Sequence, residues 1–193
     1  MTNLNADYVI VGAGSAGCVL ADRLSEDGAQ VVLLEAGPRD WHPMIHVPAG
    51  ALRLRANPLV NWNYYAEPEA GIGNRSVHWP RGRVLGGTSS INGMVYMRGT
   101  STDYDGWRQR GCEGWDWDSV LPFFKKAEDQ ERGGDDFHGK GGPLHVSNPV
   151  RSPLGDAMVQ ASIEAGIPAN NDFNGAHQEG VGYYQTTTTN RRR

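Results

Sequence analysis

Short apolar runs and glycine-rich turns alternate over the first 35 residues. Residues 7–11 are, after Asp7, apolar and mostly β-branched, as in a buried strand, and residues 12–17 follow as a glycine-rich turn. Apolar side chains then recur at helical spacing at Ala16, Leu20 and Leu24. Gly28 ends this helix, and residues 31–34 form a second buried apolar run. The pattern predicts a parallel β-α-β unit, because the crossover has the length that such units need.

The middle of the chain has weaker periodicity. Residues 38–82 are rich in Pro, Asn, Gly and aromatic residues, which predicts an extended excursion rather than a domain. Residues 115–129 predict a helix with Asp118 as its N-cap. The apolar face of this helix consists of Val120, Leu121, Phe124 and Ala127. The glycine-rich loop 133–142 comes next, and we expect the domain boundary there.

Three further elements are expected after this loop. Residues 143–147 predict a strand, and residues 154–165 predict a helix that Gly166 ends. Residues 181–189 alternate as in a long strand with two tyrosines and four threonines. About 50 residues are too few for an independent core. We therefore expect the chain to stop within a domain.

Composition narrows the class of protein. The 193 residues are 38% apolar and 21% charged, with 26 Gly and 11 Pro, as in a globular and loop-rich α/β protein. A net charge of -4 without a basic patch argues against nucleic-acid binding. No stretch resembles a signal peptide or a membrane helix, so we expect a cytoplasmic protein that acts on a small molecule. Cys18 and Cys112 form neither a disulfide framework nor a zinc pattern, and Cys18 is expected in a buried helix.

The first turn has the spacing of a phosphate-binding motif. Gly12 permits the tight turn, Gly14 lets a pyrophosphate approach the backbone, and Gly17 lets helix and strand pack closely. The helix N-terminus favours an anion at this position. Glu35 ends the second strand, where its carboxylate can accept hydrogen bonds from ribose hydroxyls and repel a 2′-phosphate. NADP is therefore disfavoured, while FAD, NAD and a turn that only packs remain open.

A second glycine cluster occupies residues 81–99. Gly86 and Gly87 are followed by small hydroxyl residues, among them Ser90. Such a backbone can lie against a flat ring and can donate N–H groups to phosphate and flavin oxygens. An ordinary turn followed by an N-cap is the alternative.

Residues 81–99, with Asp105 after them, resemble the first signature of the glucose–methanol–choline (GMC) oxidoreductases. Other segments resemble this family in the same order, namely residues 103–107, 115–128, 138–144 and 172–175. The resemblance covers nearly the whole chain and is strongest to the choline dehydrogenase-like branch. It implies FAD rather than NAD. It also implies a Rossmann-type FAD-binding domain over residues 5–138 and the start of an α+β substrate domain with an antiparallel sheet over residues 139–193.

The two motifs and the resemblance together predict the residues at the cofactor. They are Gly12, Gly14, Ser15, Ala16, Gly17, Glu35, Ala36, Trp62, Arg81, Gly86, Gly87, Ser90, Asn92, Gly93, Met94 and Val95. Some of these residues have a structural alternative to a place at the cofactor. Trp62 can be a core aromatic, Arg81 a surface charge, and Met94 and Val95 ordinary core residues. Some family members carry a His at the position of Asn92 that bonds covalently to the flavin. An amide is not a nucleophile, so FAD is expected to be held non-covalently here.

The resemblance also implies the reaction. Members of the family oxidise alcohols to carbonyl compounds by hydride transfer to flavin N5, while a His near the C-terminus of the family's chains acts as the general base. That region is not among these 193 residues, so no catalytic residue is assigned and the missing C-terminal half is an expected partner. A non-catalytic FAD-binding remnant and a GMC-fold hydroxynitrile lyase are the alternatives. The alcohol, the electron acceptor and the oligomeric state stay open, although a dehydrogenase is favoured.

No chemical role is predicted for the histidines, for Asp135 and Asp136, or for the C-terminal arginines. The six histidines lie in loops or at strand ends and are expected to be solvated; they are His42, His46, His78, His138, His145 and His177. Asp135 and Asp136 near His138 show no metal-ligand spacing, so no metal site is predicted. The arginines at 191–193 are interpreted as ordinary interior sequence of a longer fold.

Overall fold

The computed structural model describes residues 5–190 and 192–193. These residues form two compact units, one running up to Gly93 and including Arg192 and Arg193, the other from Met94 to Asn190. The predicted domain boundary after residue 138 lies within the second unit. Compact units of one chain need not coincide with the domains of a longer protein, so that boundary stays a prediction. Arg191, which belongs to the predicted interior sequence, lies outside the described residues.

The first unit begins with the predicted β-α-β arrangement. Strand β1 (Tyr8–Val11) leads through the glycine turn into helix α1 (Ser15–Ser25), and strand β2 (Val31–Leu34) pairs with β1 in parallel. Gly28 has a φ of +84° and its N–H donates to the Ser25 carbonyl at 3.0 Å, which closes the end of the helix. The predicted unit is confirmed, and its turn brings the start of α1 to the carboxyl ends of both strands.

The predicted burial of this unit is observed only in part, at Ile10 of β1 and over most of β2. Cys18 is exposed, and so are Val11 at the end of β1 and Leu34 at the end of β2. The expectation that Cys18 lies in a buried helix is therefore wrong, because α1 packs on the strands mainly through Gly17, its buried residue.

The excursion after β2 supplies most of the first unit's core. It contains two short helices, α2 (Pro43–His46) and α3 (Ala51–Leu54), and a hairpin of β3 (Tyr64–Tyr65) and β4 (His78–Trp79). The buried cluster consists of Ile45, Leu54, Val60, Val84 and Ile91. Three of these side chains come from the excursion and two from the second glycine motif. The excursion is thus packed onto the motif and holds it.

Two packed helices open the second unit. Helix α4 (Ser101–Gln109) has a capping box between Thr100 and Asp103, and helix α5 (Trp117–Ala127) follows it. Asp116, rather than the predicted Asp118, is the N-cap of α5, since its side chain accepts the N–H of Ser119 at 3.1 Å. The helix begins two residues earlier than a cap at Asp118 would place it, and Asp118 lies in its first turn.

The rest of the second unit agrees with the predicted elements in part. Strand β6 (Leu144–Val146) pairs in parallel with β5 (Glu128–Gln130), and helix α6 (Pro153–Glu164) ends before Gly166, whose φ is +92°. The predicted strand over residues 181–189 is wrong. That segment makes only isolated bridges, and Thr186 alone bridges to both Val95 and Ser147. A strand needs consecutive pairing with one neighbour, which this segment does not find among the described residues.

A buried ionic network lies between α5 and β6. The Glu128 carboxylate is fully buried and accepts hydrogen bonds from Arg98 Nη2 at 2.7 Å and from the Gly139 N–H at 2.9 Å. The imidazole of His138 is also buried; its Nδ1 lies 3.0 Å from Glu128 Oε1 and its Nε2 lies 2.9 Å from Asp172 Oδ2. The expectation that His138 is solvated is therefore wrong. The loop around it folds inward because the His138 ring and the Gly139 N–H both find the buried carboxylate of Glu128.

Burial opposes ionisation of Glu128, yet hydrogen bonds from His138 and Gly139 together with Arg98 lower its pKa. The hydrogen bond to Glu128, aided by Asp172, raises the pKa of His138 against the effect of burial. A ring that faces a carboxylate at each nitrogen donates at both only as an imidazolium.

Candidate functional site

The two glycine motifs, about 70 residues apart in the sequence, meet in the first unit. The N–H of Gly86 donates to the carbonyl of Ala13 at 2.8 Å. A Cβ added to Gly87 would lie 2.8 Å from the Cα of Gly14, closer than such atoms approach. Gly86 and Gly87 have φ values of +91° and +58°, in the left-handed region that favours glycine. Backbone contacts backbone here, which is possible only because side chains are lacking.

The first turn is shaped by its outer glycines. Gly12 has a φ of +99°, and a Cβ on Gly17 would overlap the carbonyl oxygen of Gly12. Gly17 therefore lets α1 pack onto the strand end, as predicted from its spacing. The N-cap of α1 is Gly14, with no side-chain cap and no acidic residue in the first turn. The N–H groups of this helix end are left without side-chain acceptors and favour a negatively charged group.

Glu35 ties the end of β2 to the turn. Its Oε2 accepts the N–H of Ala13 at 2.8 Å, and its Oε1 accepts the N–H of Gly37 at 2.9 Å. A carboxylate has about four acceptor positions, so each oxygen keeps capacity for a further donor. The side chain is half-buried at the mouth of the turn, where it can both fix the backbone and accept from a hydroxyl.

A cleft of about 590 Å³ opens between the turn, the strand ends and the second motif. It is lined by Val11, Gly12, Gly14, Leu34, Glu35, Ala36, Trp62, Tyr64, Arg81, Gly82, Gly87 and Thr88. This volume falls in the range of about 300–1,000 Å³ that small-molecule and cofactor sites occupy. The cleft joins a helix N-terminus, a carboxylate and aromatic rings.

Aromatic side chains form one wall of the cleft. The rings of Trp62 and Tyr64 are parallel within 5° with centroids 5.9 Å apart, and the guanidinium of Arg83 lies 5.5 Å from the centroid of Trp62. The N–H of Trp62 donates to the carbonyl of Arg81 at 2.9 Å, which fixes both residues beside the second motif. Trp62 is 43% exposed, so the alternative of a core aromatic does not describe its position in this chain.

Seven of the predicted residues line this cleft: Gly12, Gly14, Glu35, Ala36, Trp62, Arg81 and Gly87. Others belong to the same unit but not to the lining, namely Ser15, Ala16, Gly17, Gly86, Ser90, Asn92 and Gly93. Ser90 is buried and its hydroxyl donates to the Leu85 carbonyl at 2.8 Å, so it stabilises the loop. Met94 and Val95 fall in the second unit, where Met94 is buried and Val95 is half exposed.

The prediction missed five lining residues: Val11, Leu34, Tyr64, Gly82 and Thr88. Val11 and Leu34 are the last residues of their strands, and the rule that ligands bind at the carboxyl ends of parallel strands would have indicated them. Thr88 and Gly82 lie within the second motif itself. Tyr64 could be assigned to the cleft only from the structure, in which its ring stacks on that of Trp62.

These residues fit an adenine dinucleotide. The uncapped end of α1 suits a pyrophosphate, the free acceptor capacity of Glu35 suits ribose hydroxyls, and the close contact of Gly14 with Gly87 leaves no side chain in the way. The fold and the cleft thus define a dinucleotide-binding protein of the Rossmann type.

Comparison with known proteins narrows this class. The family model of the GMC oxidoreductases matches residues 6–193, so the chain belongs to the GMC oxidoreductase family. It is 52% identical over 184 residues to the alcohol dehydrogenase [acceptor] of Pseudomonas putida, which covers 94% of this chain and 33% of that protein. It is 47% identical over 191 residues to the mitochondrial choline dehydrogenase of Mus musculus, covering 93% of this chain and 32% of that protein.

Solved structures agree in fold. Pyridoxine 4-oxidase from Mesorbium loti superposes with a TM-score of 0.91 at 40% identity, over 98% of this chain and 38% of that one. An FAD-dependent oxidoreductase from Chaetomium thermophilum gives a TM-score of 0.84 at 33% identity, over 97% of this chain and 34% of that one. The chain spans about a third of the length of the curated relatives it matches.

Two further findings concern the described residues as a whole. None of their helices has the length and apolar character needed to cross a membrane. Within the same residues, no group of three or more His, Cys, Asp or Glu side chains is arranged to hold a metal ion. The predicted absence of a metal and the predicted compartment stay predictions.

Proposed function

We propose that the chain binds FAD in the cleft between the two glycine motifs and forms the N-terminal part of an FAD-dependent oxidoreductase that acts on an alcohol. The observation that carries this proposal is the contact of Gly14 with Gly87 beside Glu35, in a cleft that has an uncapped helix end and an aromatic wall. Bound FAD would supply the hydride acceptor for oxidation of the alcohol to an aldehyde or ketone.

The residues of the chain divide the work of binding. The end of α1 holds the pyrophosphate and Glu35 accepts from the adenosine ribose. Trp62 and Tyr64 offer flat faces to an aromatic ring, and Arg81 lies at the same mouth. The remaining predicted residues, including Gly93, Met94 and Val95, are proposed neighbours of the flavin by family resemblance.

FAD is proposed to be held non-covalently. Support comes from Asn92, whose amide cannot form the bond that a His at this position makes in some family members. Acid precipitation should therefore leave the yellow colour in the supernatant. Flavin fluorescence that stays with the protein band on a denaturing gel would contradict this.

The alcohol chemistry is proposed to need the rest of a longer polypeptide, which would supply the general base and complete the antiparallel sheet of the substrate domain. The relatives of about three times this length support this, as do exposed apolar side chains outside the cleft, where Val9 of β1 is 62% exposed and Val19 of α1 is 60% exposed. A dehydrogenase is proposed over an oxidase because relatives named dehydrogenases match most of the chain.

The cofactor can be identified directly. We expect the purified protein to release FAD when it is denatured and the extract is chromatographed, because the cleft suits an adenine dinucleotide and Glu35 disfavours a 2′-phosphate. Recovery of only FMN or NAD would refute the proposal.

The reaction is tested by anaerobic mixing of the longer protein and of residues 1–193 with primary alcohols, including choline, while flavin absorbance is followed. We expect reduction in the longer protein and little in the short chain, since loss of acid–base catalysis costs about 10²–10⁴-fold. Comparable bleaching in both would show that a residue of this chain acts as the base. A longer protein that cleaves a cyanohydrin without flavin reduction would be a lyase.

A further inference from the structure

The side chain of Arg193 reaches back to the second glycine motif from the other end of the chain. Its Nε donates to the carbonyl of Ile45 at 2.9 Å, and its Nη1 donates to the carbonyl of Ser89. Nη1 also donates to Asn92 Oδ1 at 2.8 Å, and Nη2 donates to the carbonyl of Asn92 at 2.7 Å. One guanidinium thus satisfies four acceptors that are more than 100 residues away in the sequence.

Three of these acceptors belong to Ser89 and Asn92 at the end of the second glycine motif, where Gly87–Ser90 forms a single turn of 3₁₀ helix. Ile45 and Ile91 on either side are fully buried in the core of the first unit. Arg193 therefore ties the end of the motif to the segment around Ile45, whose side chain is buried in the core.

We propose that Arg193 is a positioning residue for the cofactor, holding the backbone of residues 87–92 in the conformation in which the second glycine motif meets the first. This inference rests on the proposed function. The planar guanidinium is suited to the task because its five donors are arranged in a fixed fork, whereas a lysine offers a single compact charge.

The charge of Arg193 adds a second consequence. Within the part of the chain that the structure describes, the acceptors around its guanidinium are carbonyl and amide oxygens, and no carboxylate forms an ion pair with it. A positive charge that no side-chain carboxylate of the described residues pairs with is thus held against Asn92, the position that the family resemblance assigns to the neighbourhood of the flavin. Its removal should lower the midpoint potential of the bound flavin, because a nearby cation stabilises a reduced, more negative ring.

The first test needs no cofactor. In the FAD-free protein, hydrogen exchange of the amides of residues 87–92 should be faster in Arg193→Gln than in wild type, while the amides of α4 exchange unchanged. Arg192→Gln is the matched control, because this neighbouring arginine is exposed. Equal exchange over residues 87–92 in wild type and Arg193→Gln would overturn the inference.

The second test measures FAD affinity by quenching of flavin fluorescence. Arg193→Gln should weaken binding by about tenfold or more, since it loses charge-assisted hydrogen bonds to the motif. Arg193→Lys should keep the flavin potential near that of wild type but recover only part of the affinity. Millimolar guanidinium should restore FAD affinity to Arg193→Gly. Such a rescue would also show that the loss of affinity does not come from misfolding of the variant.

The outcomes separate the two proposals. If wild type does not bind FAD, the proposed function fails and this inference fails with it. If wild type binds FAD and every Arg193 variant binds equally well with an unchanged potential, only the assignment of Arg193 is overturned.

Discussion

Single glycines decide whether the two motifs can approach one another. Gly87 faces the Cα of Gly14 in the other motif, while Gly17 faces the carbonyl of Gly12 within the first turn, so a side chain at either position would displace the backbone. Other glycines, such as Gly106 in α4, have open space around them. The number of glycines therefore does not locate the site. Glycines whose Cα lies against backbone atoms do locate it, because no other residue fits there.

Alanine at either close position should impair folding and cofactor binding. Gly17→Ala would force the start of α1 away from Gly12, and Gly87→Ala would separate the motifs while also straining a left-handed residue. We expect a loss of about 1–3 kcal/mol in the free energy of unfolding, as for other overpacked sites. Thermal denaturation of the purified protein measures it.

Gly106→Ala is the control for these variants. A Cβ there meets nothing, and alanine is favoured over glycine in a helix, so stability should stay level or rise by about 0.4–1 kcal/mol. A Gly17→Ala protein as stable as Gly106→Ala would contradict the packing described for the turn.

At the scale of elements, side-chain hydrogen bonds rather than the apolar pattern decide where helix α5 begins. The N-cap of α5 is Asp116, whose Oδ1 accepts both the N–H and the hydroxyl of Ser119. The hydrogen bond to the Ser119 hydroxyl is the largest cause that lowers the pKa of Asp116. Asp118, two residues later, already has helical neighbours on both sides.

Removal of this cap should destabilise the α4–α5 pair. Asp116→Ala is expected to lower the Tm by about 2–4 °C, the usual effect of a lost N-cap in a chain of this size. Asp116→Asn should recover most of the loss, since asparagine caps equally well. Asp118→Ala is the matched control and should change the Tm less; the reverse order would restore Asp118 as the cap.

At the scale of the whole molecule, the buried ionic network makes stability depend on pH. His138 has a raised pKa, so the stability it contributes is complete below its ordinary value of 6.5 and is lost as pH rises through the folded value. Glu128 has a lowered pKa, so its contribution is complete above 4.5 and is lost as pH falls through the folded value. Both contributions are complete between pH 4.5 and 6.5.

The Tm of the wild-type protein should therefore fall as pH rises above 6.5, apart from any effect of other groups. His138→Gln should be less stable than wild type at pH 6, and the difference should shrink toward alkaline pH. Differential scanning calorimetry from pH 5 to about 9 measures both. His177→Gln, at an exposed histidine, should follow the wild-type profile, and a His138→Gln profile parallel to wild type would contradict the network's role.

The sequence by itself determined the β-α-β unit, helices α5 and α6 of the second unit and the glycine positions of the first turn. These are local properties, because strand alternation, helical spacing and the roles of Gly12, Gly14 and Gly17 depend on neighbours within about 30 residues. The resemblance to the GMC family, confirmed by the family match, also rests on contiguous motifs.

The tertiary structure decided what depends on distant partners. The core that residues 38–82 build under the second motif, the inward folding of His138 and the reach of Arg193 to Asn92 all join positions that no local pattern connects. The threonine-rich segment 181–189 shows the converse, since its alternation is that of a strand but no single neighbour among the described residues pairs with it along its length. Whether a residue is buried or paired in a sheet depends on the residues that pack against it. Those neighbours come from distant parts of the chain and are in place only when the chain has folded.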